Sequence, residues 1–116
     1  MKETLFVYGT LHPDRAPAAI LPMVRRLTHV GLATIQGTLH DLGPYPGLTL
    51  DGEQAVPGTV FALPEDPTVL EALDAYEGFF ATAPEASLFV RAEHTVTLSD
   101  GTPTLCWVYL YNRGLA

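Results

Sequence analysis

Leu5-Phe6-Val7-Tyr8-Gly9-Thr10-Leu11-His12-Pro13 is the stretch on which the fold of this chain turns. Leu5 to Tyr8 are apolar, aromatic or β-branched, which predicts a largely buried strand. Gly9 ends it. A glycine at a strand end marks a bulge or a close approach to the backbone, and Pro13-Asp14 follows with turn chemistry. A buried strand thus runs into a short loop of free amides. Such a loop can hold a small anion or can be a plain turn.

Downstream, Ala16 to Leu27 carries Ile20, Leu21, Val24 and Leu27 at partial helical spacing, but Pro17 and Pro22 interrupt it. A short or broken helix is expected there, with Arg25 and Arg26 facing solvent. Val30 to Leu42 predicts a strand with Leu32, Thr34 and Gln36 on one face and Ala33, Ile35 and Leu39 on the other. Gly31 and Gly37 are its candidate bulges, as a curved sheet or small barrel needs. Gly43-Pro44-Tyr45-Pro46-Gly47 predicts a stiff loop, since two prolines leave Tyr45 little entropy to lose. Asp51-Gly52-Glu53 reads as a polar turn and Val56 to Leu63 as a further strand.

Asp66 has the chemistry of an N-cap and Pro67 that of a first helical residue. The helix should run to about Glu77, with Gly78 in the left-handed position that ends helices. At about 100° per residue, Val69, Leu70, Leu73 and Tyr76 form its apolar stripe. Glu77 falls between Leu70 and Leu73 and points inward, whereas Glu71 and Asp74 lie outside the stripe or at its edge. An inward acid at a helix C-terminus is disfavoured by burial and by the helix dipole. Either it escapes as the helix frays, or its position serves chemistry.

Phe79 to Ala86 reads as a covering loop. Leu88 to Leu98 and Thr104 to Tyr111 form a hairpin around Asp100-Gly101, with Arg91 and Glu93 on one face and able to pair. The last strand is apolar on both faces, so it should be central. Cys106, the only cysteine, lies within it and excludes an intrachain disulfide.

The chain has 116 residues, 47% of them hydrophobic, and a net charge of −7 from thirteen acidic and six basic residues. This is the profile of one globular domain, residues 1–116, with no basic stripe for nucleic acid or anionic membranes. The four histidines show no paired ligand spacing, so no metal is expected. The beginning Met1-Lys2-Glu3 lacks a signal-peptide core and no stretch reaches membrane-span length, so a soluble cytoplasmic protein is expected.

Four stretches resemble, in order, the gamma-glutamylcyclotransferase-like family with its avirulence-induced-gene-like proteins. They are Tyr8-Gly9-Thr10-Leu11, Asp41 to Gly47, Leu73-Asp74-Ala75-Tyr76-Glu77-Gly78 and Trp107 to Arg113. The resemblance implies an α+β fold, a small curved mixed sheet or barrel with one main and one shorter helix. Its pocket would lie between the loop after the first strand and the C-terminus of the main helix. It also implies cyclisation of a γ-glutamyl small molecule to 5-oxoproline without a cofactor. Glu77 would be the catalytic acid/base, the amides of Gly9, Thr10 and Leu11 would hold the substrate carboxylate, and Tyr8 and Tyr45 would line the site. Whether the leaving group is an amine or an amino acid stays open, as does the oligomeric state. A non-catalytic metabolite-binding or protein-interaction module of the same fold is the alternative. One position departs from the family pattern: Phe89 stands where a tyrosine is usual, two residues before Arg91.

Overall fold

Strict alternation along the first strand divides the apolar core in two. Phe6 joins Ala33, Ile35, Leu48, Val60 and Val108 in one buried cluster, whereas Leu5 and Val7 join Leu11, Val24, Val69 and Leu73 in another. A strand buried on both faces must be covered on both, here by the rest of the sheet on one side and helices on the other. A computed structural model describing residues 3–9, 11–43 and 45–112 shows that arrangement. Thr10, Pro44 and Arg113, singled out in the sequence, lie outside the described residues.

Five strands, β1 (Thr4–Val7), β2 (Thr28–Asp41), β3 (Pro46–Ala62), β4 (Phe89–Leu98) and β5 (Pro103–Tyr111), close into a barrel in the order β1-β3-β2-β4-β5. All neighbours run antiparallel except β1 and β5, which are parallel. This seam has one ladder pair, Leu5 with Trp107. Side chains stitch it on either side. Thr4 Oγ1 donates to the Leu105 carbonyl at 2.9 Å, and the Tyr8 hydroxyl donates to the Tyr109 carbonyl. The mixed α+β barrel expected from the sequence is thus the fold.

The two glycines expected to bend the second strand do so. The β2–β3 register slips between His29 and Gly31 and again between Gly37 and Thr38. At the second slip Gly37 faces Gln54 while Thr38 faces Thr49, so residues 50–53 project from the ladder. A Cβ on Gly37 would lie 2.4 Å from the Thr49 carbonyl oxygen, which excludes any larger residue. The polar turn expected at Asp51-Gly52-Glu53 is therefore an excursion inside one long strand. Ala33 and Ile35 are buried as expected, but Leu39 is 41% exposed. The ladder runs on to Asp41 and Pro46, whereas β2 pairs with β4 at Ala33 and Thr34, so among the described residues the distal hairpin has no further partner strand.

The prolines at 17 and 22 reduce the first helix to α1 (Leu21–Val24). The second, α2 (Pro67–Glu77), has the boundaries its sequence predicts. Arg91 corrects one expectation. It pairs with Asp74 on α2, not with Glu93 on its own strand. No helix among the described residues is long and apolar enough to cross a membrane.

Candidate active site

The C-terminus of α2 and the end of β1 converge on a cavity of ≈ 350 Å³. Tyr8, Gly9, Leu11, Tyr45 and Glu77, five of the six site residues expected from the sequence, line it together. Phe89, Leu88, Tyr76 and Tyr109 complete much of the wall.

Glu77 is the last helical residue, and the local sequence keeps it from fraying. At the N-terminus Asp66 Oδ1 accepts from the Thr68 amide at 3.0 Å and the Thr68 hydroxyl at 2.7 Å. Arg26 donates to Asp66 Oδ2 at 2.8 Å, and these bonds hold the Asp66 carboxyl down at about 2. At the other end Gly78 takes φ 72° and ψ 34°. Its amide donates to the Ala75 carbonyl at 3.2 Å and the Phe79 amide to that of Asp74 at 2.9 Å, a glycine cap that satisfies the last turn. The Leu88 amide then donates to the Gly78 carbonyl at 3.0 Å, binding the cap to the segment entering β4.

The Glu77 carboxyl thus sits in a fixed, mostly buried place without a hydrogen-bond or ion-pair partner among the described residues. Burial alone pushes its pKa from 4.5 up to about 7. Near neutrality it exists in both protonation states, the condition for taking up and returning a proton.

Tyr8 lies on the same side. Its hydroxyl gives its one proton to the Tyr109 carbonyl and accepts from the Leu48 amide at 3.3 Å. Burial, together with the nearby Glu77 charge, drives its pKa above the ordinary phenol range despite the Leu48 bond. Tyr8 is therefore a neutral wall that fixes three strands at the cavity rather than a proton carrier. Tyr45 is placed by the β2–β3 hairpin, where the Leu42 amide donates to the Tyr45 carbonyl at 3.1 Å. Its ring lies 5.8 Å from that of Phe89, which in turn lies 5.6 Å from Tyr111. Gly9 does not need a left-handed backbone. Its constraint is space, since a Cβ there would stand 3.1 Å from Pro46 Cγ.

Asp74 is the residue that helical periodicity missed. Arg91 donates to it through Nε at 2.8 Å and Nη2 at 3.1 Å, and the Tyr109 hydroxyl donates at 2.7 Å. Its sequence signals were its place at the edge of the apolar stripe and within the stretch Leu73 to Gly78 that resembles the family. Its partners lie on β4 and β5.

Among solved structures, an AIG2-like protein from Mus musculus shares 20% identity with a TM-score of 0.74, over 98% of this chain and 80% of that one. A protein described as gamma-glutamyl cyclotransferase shares 18% identity with a TM-score of 0.68, over 96% of this chain and 67% of that one. YkqA from Bacillus subtilis shares 22% with a TM-score of 0.71, and 97% of this chain covers 36% of it. At these identities the likeness is one of fold. No curated protein matches the chain. The family model described as "Gamma-glutamyl cyclotransferase, AIG2-like" matches residues 5–115, and the chain belongs to that family.

Proposed function

We propose that this chain cyclises a γ-glutamyl amide, releasing 5-oxoproline and the amine or amino acid that formed the amide. The observation that carries this reading is the Glu77 carboxyl, without a partner among the described residues and poised near neutrality in the cavity beside the end of β1. Ionised Glu77 takes a proton from the substrate α-ammonium. The freed amine attacks the γ-carbonyl carbon, forming the ring C–N bond. Glu77 returns its proton to the amide nitrogen, the original C–N bond breaks, and the ring nitrogen's surplus proton passes to the released amine, which leaves as its ammonium. No water or electrons are consumed. Both reacting groups belong to one molecule, so holding the folded conformer supplies much of the acceleration. The amides of Gly9, Thr10 and Leu11 hold the α-carboxylate, and Tyr8 and Tyr45 confine the chain.

The test is a panel of γ-glutamyl amino acids, γ-glutamyl amines and glutathione, each assayed for 5-oxoproline. Release from at least one with purified protein is expected. Tight binding without release from any would establish a binding module instead.

Gly9→Val should weaken γ-glutamyl ligand binding at least tenfold while the protein stays folded. The added methyls press on Pro46, and the neighbour must shift by tenths of an ångström. Unchanged affinity by calorimetry would reduce the loop to a turn. Phe89→Tyr puts a hydroxyl into a wall residue only 3% exposed. It should lower unfolding free energy by about 1–3 kcal/mol in the free protein and raise the rate on γ-glutamyl substrates, where bound substrate offers the hydroxyl a partner. A variant unchanged in both urea unfolding and rate would show that position 89 does not face the substrate.

A further inference from the structure

We propose that Asp74, Arg91 and Tyr109 form a positioning cluster for Glu77, fixing the last turn of α2 against β4 and β5 and cancelling the charges nearest its carboxyl. The inference rests on Glu77 being the acid/base of the proposed reaction.

Asp74 and Glu77 are one turn apart, so their Cβ atoms lie about 5–6 Å from each other. Asp74 is held through both its carboxylate and its carbonyl. Its carboxylate takes both prongs of the Arg91 guanidinium and the Tyr109 hydroxyl, and its carbonyl takes the Phe79 amide. Arg91 and Tyr109 are direct cross-strand partners on β4 and β5, which sets their spacing. Arg91 has little freedom of its own, since its guanidinium carbon lies 4.3 Å from the Trp107 ring centre and 5.5 Å from that of Phe79. The side chains of Asp74 and Arg91 are only 17% and 16% exposed. Tyr109 joins the two halves of the site. Its hydroxyl holds Asp74 while its carbonyl accepts from Tyr8.

The cluster also bears on the charge around Glu77. Glu77 follows a carboxylate by one turn, and burial raises its pKa. The Tyr8 and Tyr109 phenols, both neutral, lie near enough to feel its charge, and Asp74, one turn before it on α2, has its own charge matched by Arg91. The opposite charges are close enough to act on Glu77 almost as one neutral unit. Removing either must leave the other uncompensated.

The experiment is an NMR titration of the Glu77 carboxyl in the wild type, Asp74→Asn, Arg91→Gln and the double variant, with the pH profile of 5-oxoproline release on each. Asp74→Asn leaves a bare cation and should lower the midpoint by about one unit. Arg91→Gln leaves a bare anion and should raise it by a similar amount. The acid limb of kcat/KM should follow in each case. In the double variant the midpoint should return to about the wild-type value while kcat stays roughly tenfold or more below it, because the turn has lost its anchor. If Arg91→Gln does not fold, the nearly isosteric Asp74→Asn carries the test alone. Midpoints that stay put, or move in the same direction in both single variants, overturn the proposal even if 5-oxoproline is released. Midpoints that move apart with no protein releasing 5-oxoproline uphold the cluster and overturn the cyclotransferase reading.

Discussion

Glu77→Gln should reduce turnover by roughly 10²- to 10⁴-fold while leaving substrate affinity close to wild type, because the amide fills the same space but moves no proton. Stability should change in the opposite sense, and only at higher pH. Burial raises the native carboxyl from 4.5 to about 7, so between those values the folded state binds the extra proton. The contribution of Glu77 to stability is therefore greatest below pH 4.5 and falls as pH rises through about 7, by a total on the order of 3 kcal/mol. The glutamine variant lacks this fall and should be the more stable protein at pH 8 and no more stable at pH 4. Urea unfolding at the two pH values, with 5-oxoproline release measured on the same preparation, decides it. A variant that is destabilised at pH 8 and fully active would identify Glu77 as a structural acid.

Gly58→Ala should damage the barrel severely. A Cβ there would stand 2.4 Å from Phe6 Cζ and 2.7 Å from the Val7 carbonyl oxygen. Phe6 is 1% exposed and fills the barrel, and the carbonyl is backbone, so neither can yield without moving β1 away from β3. Overpacking of this kind costs about 3 kcal/mol, a fall in melting temperature on the order of 10 °C. Because β1 leads directly into Tyr8 and Gly9, activity should fall well below the unfolding range. Gly31→Ala is the control. Its nearest contact would be Leu98 Cδ2 at 4.0 Å, so its melting temperature should stay near wild type. Equal effects of the two substitutions would mean that β1 and β3 can separate freely.

What could be read from the sequence was local. Asp66, Pro67 and Gly78 announced α2 and thereby placed Glu77, and Asp100-Gly101 announced the β4–β5 turn, where Gly101 takes φ 91°. Gly31 and Gly37 announced the slips of β2, since bulges have a residue signature. What was hidden depended on distant partners. Asp74 resembled any acid at the edge of a helix because its cation lies seventeen positions away and its phenol thirty-five. Arg91 was paired with Glu93 because alternation puts both on one face. It ignores the helix packed across that face, which offers a better-fitted carboxylate. Tyr76, counted in the apolar stripe, is 39% exposed, since at the helix end that stripe opens onto the cavity instead of the core.

The parallel seam bears on how the molecule assembles. Thr4 and Leu105 lie 101 positions apart, as do Tyr8 and Tyr109. Closing a loop of that length costs about 4 kcal/mol in chain entropy if nothing has folded between. One ladder pair and a few side-chain bonds at about 1 kcal/mol each do not offset that cost. The β2–β3 and β4–β5 hairpins must form first and shorten the effective loop, so the barrel zips shut last and folding is slow for a domain of this size. On the ribosome, β1 waits beside β3 with its other edge bare until β5 emerges. During that interval the open sheet offers two unpaired edges to a neighbouring nascent chain, and aggregation competes with closure there.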